Sequence, residues 1–355
     1  MMRIGIFDPY LDDLGGGEKY MMTLAQCFSE ENEVTVFWNS PEDLKKAAER
    51  FSLDLSRVRL KNNIFSPTCS SFKRWLESLN YDAIVVLSDG SIPFVLSKKL
   101  FIHFQQPFPK IKMSLKASLK KIRVNSFFCN SLFTKSFVDE EFGINSRVIY
   151  PPVDARVKEN KKENIVLHVG RFRALNVESQ DYKKQGVMLD VFKKMADLGL
   201  GNWKFILAVG LQESDGIKFN QLKKKAEGYP IEFLVNLNSD DLGKIYSKSK
   251  IYWHASGYGE DLNRNPELAE HFGISTVEAM GAGCVPVVIN AGGQKEIVID
   301  GKNGYLWNTL DDFMTKTNSL IKDEKLWKKM SDAAIKRSGV FTGDRFCNDL
   351  KDIIK

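Results

Sequence analysis

This chain of 355 residues has few cysteines, no CxxC pair and no long apolar run. The five cysteines are odd in number and scattered, so we expect free thiols in a reducing compartment. The N-terminal residues lack the apolar stretch of a signal peptide, and no run of about 18 apolar residues predicts a spanning helix. The sequence also has no short internal repeat and no low-complexity tract. These absences favour a cytoplasmic protein.

The composition is that of a soluble protein, with 27% charged and 43% hydrophobic residues. The length exceeds that of one typical core and suits two domains of similar size. The formal net charge of +6 is mildly basic, which is compatible with an anionic ligand or a membrane surface without requiring either. Nucleic-acid binding is less favoured, because no aromatic stacking platform accompanies the basic residues.

Short apolar runs alternate with helical patterns along the chain, which predicts an α/β protein. The predicted strands of the first half are residues 4–7, 34–38, 83–87, 100–104, 126–129 and 147–150. Pro151 and Pro152 end this pattern, because proline cannot continue a strand or a helix. A polar linker at residues 158–164 then precedes a second set of strands at residues 165–169, 205–209, 231–235, 251–253 and 285–289. We therefore predict two domains, residues 1–155 and 156–343, and an amphipathic helix at 344–355 that is able to pack on either.

Two turns carry residues suited to anions. Gly15, Gly16 and Gly17 follow the first strand and precede a helix, where free amides and the helix dipole favour a negative charge. The pattern is not GxGxxG, so a dinucleotide fingerprint is excluded, and a flexible turn without a ligand is the alternative. In the second half, Arg171 follows a strand and Lys183 with Lys184 opens a helix, a combination that can neutralise a diphosphate. Surface cations near loop ends are the alternative there.

The most specific segment is residues 270–278, EHFGISTVE. Gly273 turns the chain into a helix, and Ser275 or Thr276 is expected to cap it. Amides at that helix start suit a phosphate, while Glu270 and Glu278 can bind sugar or ribose hydroxyls. The alternative for Glu278 is a favourable interaction with the helix dipole alone. After the next strand, a Gly-Gly turn at residues 292 and 293 precedes another helix.

These pieces together resemble the family 4 retaining glycosyltransferases, across nearly the whole chain. The motifs that match in order are GGGE at residues 15–18, Asn-Ser at 130–131, YPPVD at 150–154, GRF at 170–172, Lys183, the Glu-x7-Glu pair and Gly-Gly at 292–293. The resemblance implies the GT-B fold, an α/β architecture of two Rossmann-like domains with parallel sheets that face each other across a cleft. It also implies a nucleotide-sugar donor, held mainly by the second domain, and no obligatory metal or other cofactor.

The resemblance assigns roles to individual residues of this chain. Arg171 and Lys183 would bind the donor diphosphate, with Lys184 as the alternative to Lys183. Glu278 would bind the ribose hydroxyls. Glu270 would contact the donor sugar near the anomeric carbon.

The resemblance also places backbone groups and one histidine at the donor. Gly16 and Gly17 would close over the phosphates from the first domain, and His103 at a strand end would lie beside the donor sugar. A structural role is the alternative for His103. Three backbone amides would meet sugar hydroxyls or phosphate: those of Phe272, Gly273 and Ile274. His168 and His254 receive no role.

Two features depart from the family pattern. The first glycine turn is GGGE rather than the commoner GGAE, and residues 257–268 form a polar stretch that indicates an insertion or lid beside the donor site. Residues 110–123 carry six basic side chains and no acidic one, and their pattern predicts an amphipathic helix able to lie on an anionic membrane. A surface helix with its apolar face toward the core is the alternative. Phe72, Trp75 and Leu76 either add apolar surface or belong to the core.

The function we expect is transfer of a hexosyl group, mannosyl or glucosyl, from a GDP- or UDP-sugar to a saccharide or lipid-linked acceptor. Retention at the anomeric carbon follows from the resemblance, with peripheral contact at the inner face of a membrane. The rival interpretations are a nucleotide-sugar epimerase or phosphorylase, and a non-catalytic subunit that binds sugar nucleotides. The base, the sugar and the acceptor are not identified by the sequence.

Overall fold

A computed structural model describes residues 1–108, 119–153, 161–172 and 183–354 of the chain. The chain divides into two compact units. Unit 1 comprises Met1–Pro152 and Gly343–Lys355, and unit 2 comprises Val153–Thr342. Most of the predicted basic helix, residues 110–118, lies outside the described residues. Along the residues that are described, no helix is both long and apolar enough to cross a membrane.

Unit 1 is built on a parallel sheet of seven strands in the order β3-β2-β1-β4-β5-β6-β7. The strands are β1 (Arg3–Phe7), β2 (Glu33–Phe37), β3 (Val58–Lys61), β4 (Ala83–Leu87), β5 (Lys99–Phe104), β6 (Ser126–Cys129) and β7 (Arg147–Val148). The helices of this part are α1 (Gly16–Ser29), α2 (Pro41–Phe51), α3 (Ser71–Ser78) and α4 (Leu132–Phe142), and a short 3-10 turn covers Leu11–Asp13. Alternate side chains of β4 enter different cores, with Ile84 and Val85 on opposite faces of the sheet. Both faces are therefore covered, as parallel sheets require.

Unit 2 is built on a parallel sheet of six strands in the order β10-β9-β8-β11-β12-β13. The strands are β8 (Glu163–Phe172), β9 (Lys204–Leu211), β10 (Ile231–Val235), β11 (Ser249–His254), β12 (Val285–Ile289) and β13 (Tyr305–Trp307). The helices are α5 (Gln185–Asp197), α6 (Gly216–Ala226), α7 (Ser239–Lys248), α8 (Ile274–Gly281), α9 (Gln294–Ile297), α10 (Leu310–Lys322) and α11 (Glu324–Ser338). Single 3-10 turns cover Glu213–Asp215, Pro266–Leu268 and Gly339–Phe341. Aromatic side chains fill much of the core, with the rings of Trp307 and Phe313 stacked 4.4 Å apart.

The two parallel sheets confirm the predicted α/β class with two Rossmann-like units. Every predicted strand is present. Most of them are continuous apolar runs, as buried parallel strands require, whereas β7 and β10 are partly exposed. Strands β3 and β13 were not predicted. Both are short and only partly buried, so their sequences lack that signal.

The C-terminal helix α12 (Gly343–Ile354) packs on unit 1. Phe346 meets the ring of Tyr20 edge-on at 4.7 Å, and Lys351 pairs with Glu31 at 2.9 Å. The expectation of five free thiols is wrong, because a disulfide joins Cys27 of α1 to Cys347 of α12. The two cysteines are 320 residues apart, so no local spacing marks them as partners. The remaining three cysteines are free thiols: Cys69, Cys129 and Cys284.

The disulfide leads to a prediction about stability. Reduction removes the covalent bond between α12 and α1. A native disulfide typically stabilises a protein by about 2–4 kcal/mol. We expect reductant to lower the melting temperature of the wild type by several degrees. Cys347→Ser should melt at the lower temperature with or without reductant.

Cys69→Ser is the matched control, since it removes a free thiol and should respond to reductant as the wild type does. Thiol titration of the unfolded, unreduced protein should give three groups rather than five. Five titrating thiols, together with a melting temperature indifferent to reductant, would contradict the bond.

Candidate functional site

Polar side chains of unit 2 gather where β8 and β11 end. β8 lies between β9 and β11, so the strand order reverses between β8 and β11. Doubly wound sheets bind their ligands at such a topological switch point. His254 is the last residue of β11. Gly170 and Arg171 were predicted to follow a strand, but they lie inside it, because β8 continues to Phe172. Arg171 therefore stands on a hydrogen-bonded strand opposite Gly210 of β9.

The centre of this region is the carboxylate of Glu270. Its Oε2 lies 2.7 Å from Nζ of Lys183 and 2.9 Å from Nε2 of His254. Burial alone would raise the pKa of Glu270, but the charge of Lys183 and the hydrogen bond from His254 hold it well below its ordinary value. Glu270 is therefore an ionised carboxylate with two donors on one oxygen.

His254 received no role from the sequence, yet it is a direct partner of Glu270. The residue is 1% exposed, and burial lowers the pKa of its imidazole, so the ring is neutral. A neutral ring that faces a carboxylate carries its proton on Nε2, which leaves Nδ1 as an acceptor. Nδ1 is buried and meets no hydrogen-bond partner within the described residues. Its position at the end of a central strand is the signal that could have identified it.

A second buried histidine, His168, lies close to this carboxylate, with its ring centroid 5.9 Å from that of His254. Its Nδ1 lies 2.9 Å from the carbonyl of Trp253, its Nε2 lies 3.5 Å from Nε2 of Gln185, and burial lowers its pKa to about 3. A Cβ at Gly170 would lie 3.0 Å from Nε2 of His168 and 3.6 Å from Cγ of Lys183. A side chain at position 170 would therefore press against His168, which favours glycine there, while its contact with Lys183 would be an ordinary one.

The structure gives the two adjacent lysines different carboxylate partners. Lys183 pairs with Glu270, whereas Lys184 pairs with Glu260. Lys184 adopts a left-handed backbone conformation with φ of 55°, and its side chain is only 4% exposed. Glu260 belongs to residues 257–268, the stretch predicted as an insertion or lid. This stretch therefore contacts the lysine pair directly.

The Gly-Gly turn at residues 292 and 293 holds the backbone that carries Glu270. A Cβ at Gly292 would lie 2.3 Å from the carbonyl oxygen of Glu270, and a Cβ at Gly293 would lie 2.4 Å from Cα of Phe272. The amide of Gly293 donates to that same carbonyl at 2.8 Å. Neither position tolerates a side chain, so this turn serves to fix the Glu270 segment.

Helix α8 begins at Ile274, before the two residues that were predicted to cap it. The expectation that Ser275 or Thr276 caps it is wrong, because Gly273 is the N-cap, with φ of +119°. Ser275 instead bonds Tyr252 through its hydroxyl at 2.8 Å. The amides of Thr276 and Val277 donate to the carbonyl of Gly273 at 3.0 and 3.2 Å. The amide of Ile274 precedes these bonds, which suits its predicted role. The Phe272 ring packs 5.4 Å from a neighbouring phenyl ring and is 3% exposed, so its prediction concerns the amide alone.

Glu278 lies one turn further along α8. The hydroxyl of Tyr246 donates to its Oε2 at 3.1 Å. Burial, then the neighbouring Glu278, raises the pKa of Tyr246 well above its ordinary value, so the phenol stays a donor. The ammonium of Lys162 donates to the carbonyls of Tyr246 at 3.3 Å and Ala282 at 2.7 Å. Lys162 thus joins the C-terminal ends of α7 and α8 and fixes the spacing of this pair.

In unit 1, the predicted glycine turn opens α1. Gly15 is the N-cap and its amide donates to the carboxylate of Glu18. Gln105 donates from Nε2 to the carbonyl of Gly17 at 3.1 Å, and a Cβ at Gly17 would lie 2.9 Å from its Oε1. Gly16 is the first helical residue. Phosphate binding by Gly16 and Gly17 stays a prediction.

A buried carboxyl group stands beside that turn. Asp8 follows β1 and accepts from the amide of Tyr10 at 2.9 Å, while its Oδ2 is buried with no partner in the described parts of the chain. Burial, assisted by the charge of Glu18, raises the pKa of Asp8 to about 8. Asp8 is therefore mostly protonated at neutral pH. No three His, Cys, Asp or Glu side chains of the described residues are arranged to hold a metal ion.

His103, the predicted catalytic histidine, lies at the end of β5 inside the core of unit 1. Its ring is stacked between Tyr20 at 4.1 Å and Phe128 at 4.5 Å, and its Nδ1 lies 3.1 Å from the Phe128 carbonyl. Burial lowers its pKa to about 3, so it is a neutral group. Its role at a donor sugar stays a prediction.

The raised pKa of Asp8 gives a prediction with a definite sign. Between about pH 4 and pH 8 the native state holds a proton on Asp8 that the unfolded state has released, so rising pH favours unfolding. Asp8→Asn keeps the acceptor for Tyr10 and removes this penalty. The melting temperature of the variant, relative to wild type, should therefore rise steadily across that range.

Asp12→Asn, at an exposed neighbouring position, is the control and should show no such trend. A difference between Asp8→Asn and wild type that stays constant with pH would show that Asp8 is ionised in the folded protein.

Comparison with known proteins agrees with this geometry. Residues 152–337 match the glycosyl transferases group 1 family. The alpha-1,3/1,6-mannosyltransferase ALG2 of Dictyostelium discoideum is 26% identical over 423 residues, which covers 100% of this chain and 98% of that protein. The GDP-Man:Man(3)GlcNAc(2)-PP-Dol alpha-1,2-mannosyltransferase of the same organism is 24% identical over 306 residues. That alignment covers 82% of this chain and only 57% of the relative's length.

Solved structures share the fold at low sequence identity. Anabaena Alr3699/HepE in complex with UDP and glucose has a TM-score of 0.73 at 18% identity, over 99% of both chains. TarM has a TM-score of 0.73 at 12% identity, over 100% of this chain and 99% of its own. These structures support the fold alone, which is GT-B. The family match spans more than half of the sequence and contains Arg171, Lys183, Glu270 and Glu278, so the chain belongs to the glycosyl transferases group 1 family and is a glycosyltransferase.

Proposed function

We propose that the chain transfers a hexosyl group from a nucleotide diphosphate sugar to a hydroxyl of a saccharide or lipid-linked acceptor, with retention at the anomeric carbon. The observation that carries the proposal is the half-buried, ionised Glu270, held by Lys183 and His254 inside the region that matches the family. The names of the two Dictyostelium relatives support a mannosyl group over a glucosyl one. The name of one includes GDP-Man and PP-Dol, which supports a GDP-sugar and a lipid-linked acceptor. The structure of Anabaena Alr3699/HepE in complex with UDP and glucose supports a UDP-sugar as the alternative donor.

Arg171 and Lys183 are assigned to the donor diphosphate. Lys183 is preferred over Lys184 because its partner is Glu270, the predicted sugar ligand, whereas Lys184 is buried against Glu260 of the insertion. An incoming diphosphate would compete with Glu270 for Lys183. Glu278, which Tyr246 already orients, is assigned to the ribose hydroxyls. The amides of residues 272–274 would receive sugar hydroxyls or phosphate at the start of α8.

The proposed reaction forms a bond from the acceptor oxygen to the anomeric carbon and breaks the bond from that carbon to the phosphate. The acceptor proton passes to the leaving phosphate on the same face of the sugar. Arg171 and Lys183 would stabilise the charge that develops on the diphosphate, and Glu270 would offset positive charge on the sugar. These cations supply the positive charge, so the proposal requires no metal, and activity should survive a chelator. We keep a membrane surface as part of the proposal; the disulfide between Cys27 and Cys347 removes the free-thiol argument for a cytoplasmic location.

Donor binding and transfer are tested together. At a hundred times its dissociation constant, the correct sugar nucleotide should stabilise the protein by about 2.7 kcal/mol in a thermal-shift panel of UDP- and GDP-hexoses. With that donor, Glu270→Gln should lower kcat by about a hundredfold or more, because a charge next to the transition state is lost.

Glu267→Gln is the matched control, since it removes an exposed carboxylate from the same segment and should retain activity. Products analysed with and without acceptor separate transfer from epimerisation and phosphorolysis. If donors bind but no product forms, a non-catalytic subunit is the better description. If no sugar nucleotide stabilises the protein, the proposed function is wrong.

His254 allows a sharper test of how Glu270 is held. When the diphosphate takes Lys183, His254 remains as the donor on Oε2 of Glu270. His254→Asn places its amide near the position of Nδ1 and cannot reach the carboxylate, so we expect kcat to fall about 10–100-fold, the cost of a lost hydrogen bond to a charged group. Affinity for the nucleoside diphosphate without sugar should stay nearly unchanged.

His254→Gln places its amide near the position of Nε2 and restores the bond, so kcat should recover to within a few fold of wild type. Equal losses in the Asn and Gln variants would indicate a packing role for His254 and refute the positioning role.

A further inference from the structure

Helix α3 of unit 1 turns its apolar face toward solvent. Four of its large side chains, counting the residue that follows it, are exposed by 67%, 37%, 51% and 54%: Phe72, Trp75, Leu76 and Leu79. Their spacing of three, four and seven residues places them on one helical face. The opposite side packs on the unit, where Ser78 is buried and Arg74 donates to the carbonyl of Ile64 at 3.0 Å. A surface helix of a soluble protein normally buries its apolar face, so the outward face needs an occupant.

A second exposed apolar pair stands at the same region of unit 1: Leu119 at 66% and Ile122 at 81%. Residues 94–97 contact both of the segments that carry these side chains. The amide of Leu96 donates to the hydroxyl of Ser78 at 2.8 Å, and the guanidinium of Arg123 donates to the carbonyl of Ser97 at 2.8 Å. We refer to the six side chains together as the apolar patch: Phe72, Trp75, Leu76, Leu79, Leu119 and Ile122.

The surroundings of the apolar patch are strongly basic. Residues 72–79, 94–99 and 119–123 contain seven lysines and arginines and a single acidic residue, Glu77. The carboxylate of Glu77 pairs with Lys61 at 3.0 Å, and the ammonium of Lys98 pairs with Asp82 at 2.7 Å; both partners lie outside those segments. Lys121 and Arg123 donate to backbone carbonyls, which anchor the side chains without neutralising their charge. The formal net charge of these three segments equals that of the entire chain, so the remainder is balanced.

We propose that the apolar patch docks on an anionic lipid bilayer. Tryptophan, phenylalanine and leucine on one face of a short helix insert at the boundary between headgroups and acyl chains, and the surrounding cations attract anionic headgroups. A second copy of the chain is disfavoured as the occupant, because it would bring the same basic segments together. This inference goes beyond glycosyl transfer and does not depend on it. It names the surface of unit 1 that would meet the membrane of a lipid-linked acceptor.

Vesicle sedimentation tests the proposal on the full chain. The probes are vesicles of phosphatidylcholine alone and of phosphatidylcholine mixed with phosphatidylglycerol. The wild type should bind the anionic vesicles at least about tenfold more tightly than the neutral ones, and high salt should weaken that binding. The triple variant Phe72→Gln, Leu76→Gln and Leu79→Gln should lose about tenfold or more in affinity for anionic vesicles.

The matched control changes three equally exposed apolar residues of unit 2: Leu198→Gln, Ile217→Gln and Ile299→Gln, which are 76%, 79% and 47% exposed in the wild type. It should bind vesicles as the wild type does, and both triple variants should keep the melting temperature and the stabilisation by sugar nucleotide. Equal vesicle binding by wild type and the α3 variant would overturn the proposal, as would no binding by the wild type. Concentration-dependent dimers that the α3 variant abolishes would instead assign the patch to a second copy.

Discussion

The proposed donor region depends on keeping one half-buried carboxylate ionised. Transferring a carboxylate out of water costs several kcal/mol unless charge and hydrogen bonds compensate. Lys183 and His254 provide both at the same oxygen of Glu270. Because the three residues come from the segment before α5, the end of β11 and the loop before α8, this single requirement fixes three separate elements of unit 2. The turn formed by Gly292 and Gly293 then fixes the backbone from behind, where no side chain would fit.

Glycine content is a weak signal of phosphate binding, as a comparison of the end of β1 in unit 1 with the end of β8 in unit 2 shows. In unit 1, the amide of Gly15 is already engaged by Glu18, and Asp8 lies close enough for the charge of Glu18 to raise its pKa. In unit 2, the corresponding strand end carries Arg171 and is flanked by Lys183. The described side chains at the two strand ends differ in charge: Glu18 is acidic, whereas Arg171 and Lys183 are basic. That charge supports assigning the diphosphate to unit 2.

The sequence predicted the parts of the structure that depend on local pattern. Continuous apolar runs identified the buried parallel strands, and the motifs singled out Lys183 and Glu270, which the structure places in contact. What it could not predict are contacts between distant positions. His254 lies 16 residues before Glu270 and carries no motif, and the disulfide joins cysteines 320 residues apart. The predicted helix cap was wrong for another reason. Ser275 has a suitable side chain, but the helix already begins at Ile274, so Gly273 is the N-cap.

The adjacent lysines Lys183 and Lys184 pair with different carboxylates, and the backbone conformation of Lys184 makes this possible. Lys184 adopts the left-handed conformation, which costs a non-glycine residue roughly 1–2 kcal/mol. That conformation directs the two side chains to different carboxylates, Lys183 to Glu270 and Lys184 to Glu260. The ion pair with Glu260 supplies the opposite charge that the buried ammonium of Lys184 needs, and it links residues 257–268 to the lysine pair. Loss of Glu260 would therefore weaken the compensation of the buried Lys184 ammonium next to Lys183, and the effect would reach Glu270 without any direct contact.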